Sequence, residues 1–390
     1  MAFTLVVNPG SSSKKYALYA DNSLQLNAHI ERSEDGFEMC TSVKGLAQKC
    51  ESLPKQDYQA SLQNFLQLAI QAEIVSSAGE IEKVAIRVVA PGTFFQRHQI
   101  INEDFLAKLK AVANLAPLHI PHVEREIRYL IETIPSATLV AVSDSAFHSS
   151  LPEKARQYSL PKSEVEHLDL FRFGYHGLSV ASVLRRYESV VGSIPGRVIV
   201  CHIGSGVSVT ATLEGKSVDT TMGFSPGSGL IMGSRAGDVD AGALLALMQL
   251  KNLKPIDAEL YLQTSGGLKG ISGEADLRYI LDRKAKDEAD ATLAITSFVY
   301  QIQKAIGAYM ATLNGLDTLV FTATAGVRSP VLRSLIVDGL AGLGLSLDDN
   351  KNLACTNGDA VISKSGAPIK VVVLRTDEEN EILYASLALR

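Results

Sequence analysis

The chain has 390 residues, 46% of them hydrophobic and 20% charged, with a net charge of −5. That length exceeds what a single core fills, so two domains are expected, and the mild acidity excludes recruitment of nucleic acid or an anionic membrane by bulk charge. The four cysteines, Cys40, Cys50, Cys201 and Cys355, are scattered, with no CxxC and no paired spacing, which predicts a reducing compartment and argues against a zinc site. The opening MAFTLVVNPG has no basic n-region, and no run of about 18 apolar residues occurs, so neither a secretory leader nor a membrane span is expected. The expected location is the cytoplasm.

Phe3 to Asn8 is a short β-branched run that predicts a strand, broken by Pro9-Gly10 and by Ser11, Ser12 and Ser13 ahead of Lys14 and Lys15. Tyr16 to Tyr19 resumes as a strand, Asp21-Asn22-Ser23 is a turn, and Leu24 to Ile30 makes a third strand. The tip of this hairpin offers backbone N–H groups, hydroxyls and lysines, which suit phosphate; serine-rich turns also occur with no ligand. The same pattern returns later. LVVNPGSSS matches VIVCHIGSGVS in residue type, with His202 in the place of Asn8 and Gly204 in the place of Gly10, and the second copy also continues through Val207 to Leu213 and on to Thr221. A repeat of that size predicts two similar domains whose glycine-containing turns point into a cleft, where ligands usually lie.

Residues 58–78 carry a helical stripe of Leu62, Phe65, Leu66, Leu68 and Ala69. Val84 to Val89 reads as a strand containing Arg87, either a site residue or a strand-end surface charge. Residues 102–114 predict a helix, Ala116 to Pro121 is held out of helix by its prolines, and His122 to Thr133 is helical. Thr138 to Val142 is a strand that runs into Ser143-Asp144-Ser145-Ala146-Phe147-His148. An acid just past a strand's C-terminal end is a usual place for catalytic groups, whereas His148 is read as a satisfied structural histidine. The chain changes character at Ser150 to Lys162, where the domain crossover is expected. FRFGYHG, Phe171 to Gly177, leads into a helix from Ser179 to Tyr187, and its His176 is either a donor to a phosphoryl oxygen or a buried, satisfied histidine.

The stretch Asp219 to Asp240, DTTMGFSPGSGLIMGSRAGDVD, has almost no helix or strand pattern. Arg235 brings a forked donor set suited to carboxylate or phosphate, and Asp219, Asp238 and Asp240 are candidates to hold a cation or to position it. The other reading is a glycine-rich surface loop with a solvated arginine. Ala241 to Leu250 is a helix, Ser265 to Gly273 a second glycine-rich stretch that runs on to Glu274, Asp276 and Arg278, and Ala291 to Leu313 the clearest helix, stopped at Asn314-Gly315. Thr318 to Phe321 is a buried strand. TATAGVR, Thr322 to Arg328, reads as a small-residue turn before a helix from Val331 to Leu340, a plausible anion or nucleotide site. Ile369 to Leu374 is the last strand. Glu378, ahead of a final helix from Ile382 to Leu389, is either a site acid or a charge on that helix's N-terminus.

NPGSSSKK, SDSAFH, FGYHG, HIGSGVSVT, the Asp219–Asp240 stretch and RTDEE, in this order from first strand to last helix, resemble the acetate kinase family of actin/sugar-kinase/Hsp70-like phosphotransferases. The resemblance implies an α/β protein of two similar actin/ribonuclease-H-like domains from an internal duplication, with mixed sheets flanked by helices and the active site in the interdomain cleft. The domains would be 1–150 with the C-terminal helix 376–390, and 151–375 for nucleotide. It implies reversible phosphoryl transfer between ATP and acetate, with Mg²⁺ or Mn²⁺, in a homodimer. Arg87 and Arg235 would hold the carboxylate and the transferring phosphoryl group, Asp144 would orient them, and His176 would donate to the transition state. Asn8, Val89, Leu118, Tyr175 and Pro226 would line the acyl pocket. Ser11, Ser13, Lys15, His202, Gly204, Ser205, Gly206, Asp276, Leu277, Arg278, Thr324, Gly326 and Arg328 would bind phosphate or nucleotide, and Asn8 and Glu378 would serve the metal. The chemistry suits these residue types: a carboxylate is already a nucleophile at pH 7, and positioning plus charge neutralisation do the rest.

Departures cluster at the donor. The family's Gly-Gly-x-Gly-Glu-Asn turn stands here as Ala323 to Arg328, with Thr324 for a glycine, Val327 for an acid and Arg328 as an added cation. Pyrophosphate is therefore the alternative donor. Tyr175 stands for a phenylalanine, which admits propionate or a more polar acyl group as the alternative acceptor. A binding or regulatory protein that kept the cleft and lost catalysis is the alternative from another class.

Overall fold

The computed structural model describes residues 2–10, 13–33, 36–53, 61–117 and 120–389. They form two compact units. The first comprises Met1–Ala90, Arg97–Ala146 and Glu378–Arg390, and the second Pro91–Gln96 and Phe147–Asp377.

The first unit is built on an eight-stranded sheet: β1 (Phe3–Pro9), β2 (Ser13–Ala20), β3 (Ser23–Ser33), β4 (Gly36–Val43), β5 (Lys49–Leu53), β6 (Ile81–Val88), β7 (Gln99–Ile100) and β8 (Thr138–Ser143). Their spatial order is β5-β4-β3-β2-β1-β6-β8-β7. Strands β1 to β5 form an antiparallel meander, β6 and β8 continue parallel to β1, and β7 closes the edge antiparallel to β8. Strand β1 is buried from Phe3 to Asn8, as a central strand covered on both faces must be. Covering helices come from Ser61–Gln71, which buries Leu62, Phe65, Leu66 and Ala69, and from Ile120–Thr133, which buries Ile120, Val123, Ile127 and Leu130. Each such side chain stabilises the unit by roughly 1.5–3 kcal/mol. The chain's last helix, Glu378–Leu387, returns to pack on β1, β6 and β8. Lys83 donates to the carbonyls of Ser386 and Leu389 at its C-terminus.

The second unit repeats the plan with β9 (Arg197–Ile203), β10 (Val207–Leu213), β11 (Lys216–Thr220), β12 (Thr318–Thr322), β13 (Ala360–Val361) and β14 (Lys370–Val373), ordered β11-β10-β9-β12-β14-β13. Three antiparallel strands, two parallel ones and an antiparallel edge recur in the same sequence. The sequence repeat is thus a structural duplication. The second hairpin closes one residue tighter, since Asn8 lies opposite Lys15 but His202 opposite Ser208. One face of this sheet carries the helix Gly177–Val191, whose Val180, Val183, Tyr187 and Val191 pack with Val198, Val200, Val320 and Val372. The long helix Ala289–Thr312 packs on β9 and β10, burying a stripe from Ala291 to Tyr309, and stops where Asn314 and Gly315 take positive φ.

Several expectations need correction. Among the described residues the first helix spans Ser61–Gln71, not 58–78, because Glu73 turns into the left-handed region. The 102–114 helix ends at Ala111 and continues as a 3₁₀ turn, Ala113–Leu115. Ile120 and Pro121 open a helix rather than interrupt one, since a proline in the first turn forfeits no intrahelical bond. Ser265 to Gly273 contains a short helix, Gly267–Ser272. Thr322 to Arg328 is also no plain turn: Ala323–Arg328 is a helix, followed by a second at Pro330–Asp338. The final helix starts at Glu378, not Ile382. The strands β4 and β5 went unpredicted, and they bring Cys40 and Cys50 into a disulfide, so the cysteines do have a paired spacing.

Arg333, fully buried, holds the Ala323–Arg328 helix in place. Its guanidinium donates to the carbonyls of Gly326, Val327, Asn352 and Cys355 and to the Asn352 side chain. These carbonyls lie at the C-terminal ends of two short helices, Ala323–Arg328 and Asp349–Ala354, where a cation meets negative dipole ends. Burial pulls the Arg333 pKa down. Arg333→Met takes five hydrogen bonds from buried acceptors and is expected to cost about 3 kcal/mol or more, seen as a lower denaturant midpoint. Arg333→Lys, which lacks the fork, should recover only part of it.

Candidate active site

In the first unit the charged candidates converge at the C-terminal ends of parallel strands. Arg87 stands near the end of β6, beside β1 and β8. Its Nε and Nη2 donate to the two oxygens of Asp144 at 3.2 and 3.0 Å, and its Nη1 donates to Asn8 Oδ1 at 3.3 Å, with Glu378 3.9 Å away. Asp144 is buried, and its amide is tied to the Val88 carbonyl. Burial alone would lower the Arg87 pKa, but Asp144, Glu378 and Glu379 reverse this and hold it above its ordinary value.

Asn8 Nδ2 donates to Glu378 Oε2 and to Glu379 Oε1, both at 3.0 Å. It therefore meets the acids through its NH₂ and Arg87 through its oxygen. Lys15, the cross-strand neighbour of Asn8, pairs with Glu379 at 3.2 Å. Burial opposes its charge, yet Glu379 and Glu378 raise its pKa. Two cations, Arg87 and Lys15, thus face three carboxylates, Asp144, Glu378 and Glu379. The surplus negative charge suits a hard divalent cation, and magnesium commonly takes only one or two protein carboxylates beside substrate phosphates and water. The Ser145 hydroxyl, next to Asp144, is buried with no hydrogen-bond partner among the described residues, a mark of a site that meets something else.

The second unit assembles a histidine–arginine set. His176 caps the helix Gly177–Val191 with φ of 59°, a left-handed conformation that costs about 1–2 kcal/mol outside glycine. Its Nδ1 bonds to Ser208 Oγ at 2.9 Å, and the His202 Nδ1 bonds to Ser179 Oγ at 2.8 Å. The two rings stack with centroids 3.9 Å apart. Gly206 makes room for the His176 ring, for a Cβ there would sit 2.9 Å from His176 Nε2 and 3.7 Å from Arg235 Nη1. Arg235 Nη1 donates to the Pro226 carbonyl at 3.1 Å, and Tyr175 Oη to the Phe224 carbonyl at 2.7 Å, so one loop segment links both residues. Asp219, Asp238 and Asp240 each accept from loop or helix backbone through one oxygen, at Thr220, Gly229 and Ala243.

The β9–β10 turn and the start of the Ala323–Arg328 helix adjoin. Gly204 and Gly206 close the β9–β10 turn, with Ser205 exposed, and a Cβ on Gly204 would lie 3.5 Å from that of Ala323. Thr322 pairs with His202 across β9 and β12, and its buried hydroxyl has no partner among the described residues. Ala323 has φ of 63°. Thr324 and Arg328 are exposed and Gly326 is buried. Asp276 caps the helix Leu277–Lys284 and pairs with the exposed Arg278. Val89 is buried just past β6, and Ser13 accepts the Gly10 amide through its carbonyl. Ser11 and Leu118 lie outside the described residues. His148 is structural, its ring nitrogens meeting Ser217 and the Tyr175 carbonyl.

Sequence reasoning missed Glu379, Ser179, Ser208 and Arg333. Glu379 adjoins a residue already singled out. Ser208 was findable from the hairpin register that sets it opposite His202.

Residues 3–384 match the model of the acetokinase family. The chain is 36% identical over 383 residues to the acetate kinase of Dictyoglomus thermophilum, covering 96% of each chain. It is similar to solved structures of a propionate kinase from Francisella tularensis (30% identity, TM-score 0.88, 99% of each chain) and of the acetate kinase of Porphyromonas gingivalis (30%, 0.85, 100% of each). A fold of two duplicated mixed sheets with this likeness is that of a phosphotransferase acting on a carboxyl group. The chain belongs to the acetokinase family.

Gly206→Ala is expected to push the His176 ring aside and lower kcat on the order of 10²-fold with the fold intact by circular dichroism. Ala323→Gly should relieve the left-handed strain and stabilise the protein by about 0.5–1 kcal/mol in thermal unfolding.

Proposed function

We propose that this chain transfers a phosphoryl group reversibly between ATP and acetate, giving acetyl phosphate and ADP, with a divalent cation. The observation that carries it is the intact charged set: Arg87 closed on Asp144 with Glu378 and Glu379 beside it, and His176 stacked on His202 and, with Arg235, beside Gly206. The acids that give the relatives their names, acetate and propionate, are both short carboxylates, and acetate is the first choice.

The acetate oxygen is already anionic at pH 7 and attacks phosphorus in line without a general base. Repulsion between the two anions is the obstacle. Arg235 neutralises the transferring group, and its bond to the Pro226 carbonyl fixes its direction. His176, held at Nδ1 by Ser208, presents Nε2 to an equatorial oxygen of the transition state, and His202 serves a donor phosphate. Glu378 and Glu379, organised by the Asn8 amide, are the residues that would hold Mg²⁺, which supplies charge neutralisation on the phosphates when bound. Asn8 acts here by placing the acids rather than through its own oxygen. Arg87, fastened to Asp144, orders the carboxylate side. The family reading also carries a cytoplasmic homodimer.

A second reading has one specific observation behind it. The donor turn begins on a strained alanine and ends on the exposed Arg328, which favours a smaller, more charged donor such as pyrophosphate. An acyl-hydroxamate assay with Mg²⁺ and acetate, run with ATP and with pyrophosphate, separates the two. Product with ATP is expected, and product with pyrophosphate alone replaces the nucleotide by the second reading. Arg235→Ala should lower kcat by roughly 10³-fold; near-normal turnover would reject the assignment. EDTA should abolish product and Mg²⁺ restore it.

A further inference from the structure

A row of side chains runs across the first unit's sheet from the charged set to the far edge strand. Asn8, Lys15, His29, Cys40 and Cys50 are successive cross-strand partners on β1 to β5, and directly paired residues share one face. On that face the next row holds Glu31, Glu38 and Ser52. Glu38, Cys40 and Cys50 place their ligand atoms within 4.8 Å of one another, and among the described residues they are the one group of three or more His, Cys, Asp and Glu side chains that does so. The Cys40 sulfur lies 3.8 Å from a Glu38 oxygen. His29, directly opposite Cys40, bonds through Nε2 to Glu31 at 3.0 Å.

The surroundings are unlike those of a core disulfide. Strand β5 is the edge of the sheet, and Lys49, Cys50, Glu51 and Ser52 are all exposed. The bridge is open to a reductant, and its loss frees a strand with almost no packing of its own. Two thiols, a carboxylate and an imidazole in one patch are a donor set for a thiophilic cation such as zinc.

We propose that Cys40 and Cys50 form a redox-gated metal site: closed as the disulfide, and open after reduction to Zn²⁺ held by both thiolates and Glu38, with His29 as the fourth donor once it leaves Glu31. Opening is thiol–disulfide exchange with a dithiol reductant, which supplies two electrons and two protons and is itself oxidised to a disulfide. Binding Zn²⁺ then displaces the two thiol protons to solvent as two sulfur–metal bonds form. Metal takes over the bridge's role of tying β5 to β4.

The test uses the full chain. Alkylation of the denatured protein should count two thiols before reduction, Cys201 and Cys355, and four after; four without reduction would overturn the gate. Protein reduced with dithiothreitol, then freed of it without oxygen, should take up one equivalent of Zn²⁺ against a chromophoric indicator. With Co²⁺ it should show thiolate-to-metal charge-transfer absorption. Oxidised protein should do neither. Cys50→Ser should abolish uptake, and Glu38→Gln and His29→Ala should each weaken it by about tenfold or more. Hydrogen exchange at 49–53 should rise on reduction and fall again with Zn²⁺. Equal uptake by oxidised and reduced protein, or by reduced wild type and Cys50→Ser, overturns the site, as does loss of protection on reduction that Zn²⁺ does not restore.

Discussion

A guanidinium can stand in a strand of a buried sheet only if something closes its fork. Asp144 does this for Arg87, with two bonds of 3.2 and 3.0 Å from a carboxylate that is itself almost fully buried. Either partner alone would leave an uncompensated charge, a loss of several kcal/mol. The pair also dictates what lies around it. Arg87 reaches Asn8, Asn8 reaches Glu378 and Glu379, and Glu379 reaches Lys15. The first strand, the second strand, the sixth and the last helix are thus tied by one polar chain. The C-terminal helix must return to this sheet because its first turn completes the network.

The duplication explains why each unit carries chemistry at corresponding places. In both, an antiparallel meander meets parallel strands, and the backbone leaves the sheet at the end of the first strand of the repeat. Asn8 and His202 occupy that exit. One unit has filled it with carboxylates and cations, the other with histidines held by serines. Buried hydroxyls with no partner among the described residues, Ser145 and Thr322, sit just past strand β8 and at the end of β12, two of the parallel strands of their sheets. The same topology has been given different electrostatics, carboxylates balanced by two cations in one unit and histidines beside an arginine in the other.

Much of this was legible in the sequence, and the misses have physical causes. Strands with continuous apolar runs, such as β1, β9 and β12, and the long striped helix 289–312 announce themselves, because burial on both faces or along one stripe leaves a period. The repeat was readable because two turns kept both their residue types and their offset. Strands β4 and β5 were not readable, since β5 is almost wholly exposed and has no apolar pattern to show; with the strands went the Cys40–Cys50 pairing. Glu378 was singled out and Glu379 was not, although adjacent acids on a first helical turn differ only in which way the helix points them. Arg333 gave no signal, because its partners are backbone carbonyls, and a carbonyl has no letter in a sequence. Asp219, Asp238 and Asp240 show the converse: one oxygen of each accepts a backbone amide that a one-letter string does not display.

Arg333 and Ala323 together bear on the donor turn. An alanine held at φ of 63° stores strain that the local chain would shed by unwinding the helix it begins. The helix Ala323–Arg328 is too short to hold itself, for six residues hardly complete the nucleus that helix formation requires. What retains it is the buried guanidinium at its other end, which takes the Gly326 and Val327 carbonyls and anchors them to the Asp349–Ala354 helix. Strain at the first residue and clamping at the last are therefore one arrangement. It keeps Ala323 against the Gly204 turn and Thr322 against His202, and so fixes the spacing between the two turns. Under the proposed function, the room left to a donor would be set by this short helix and its clamp as much as by the exposed Thr324 and Arg328.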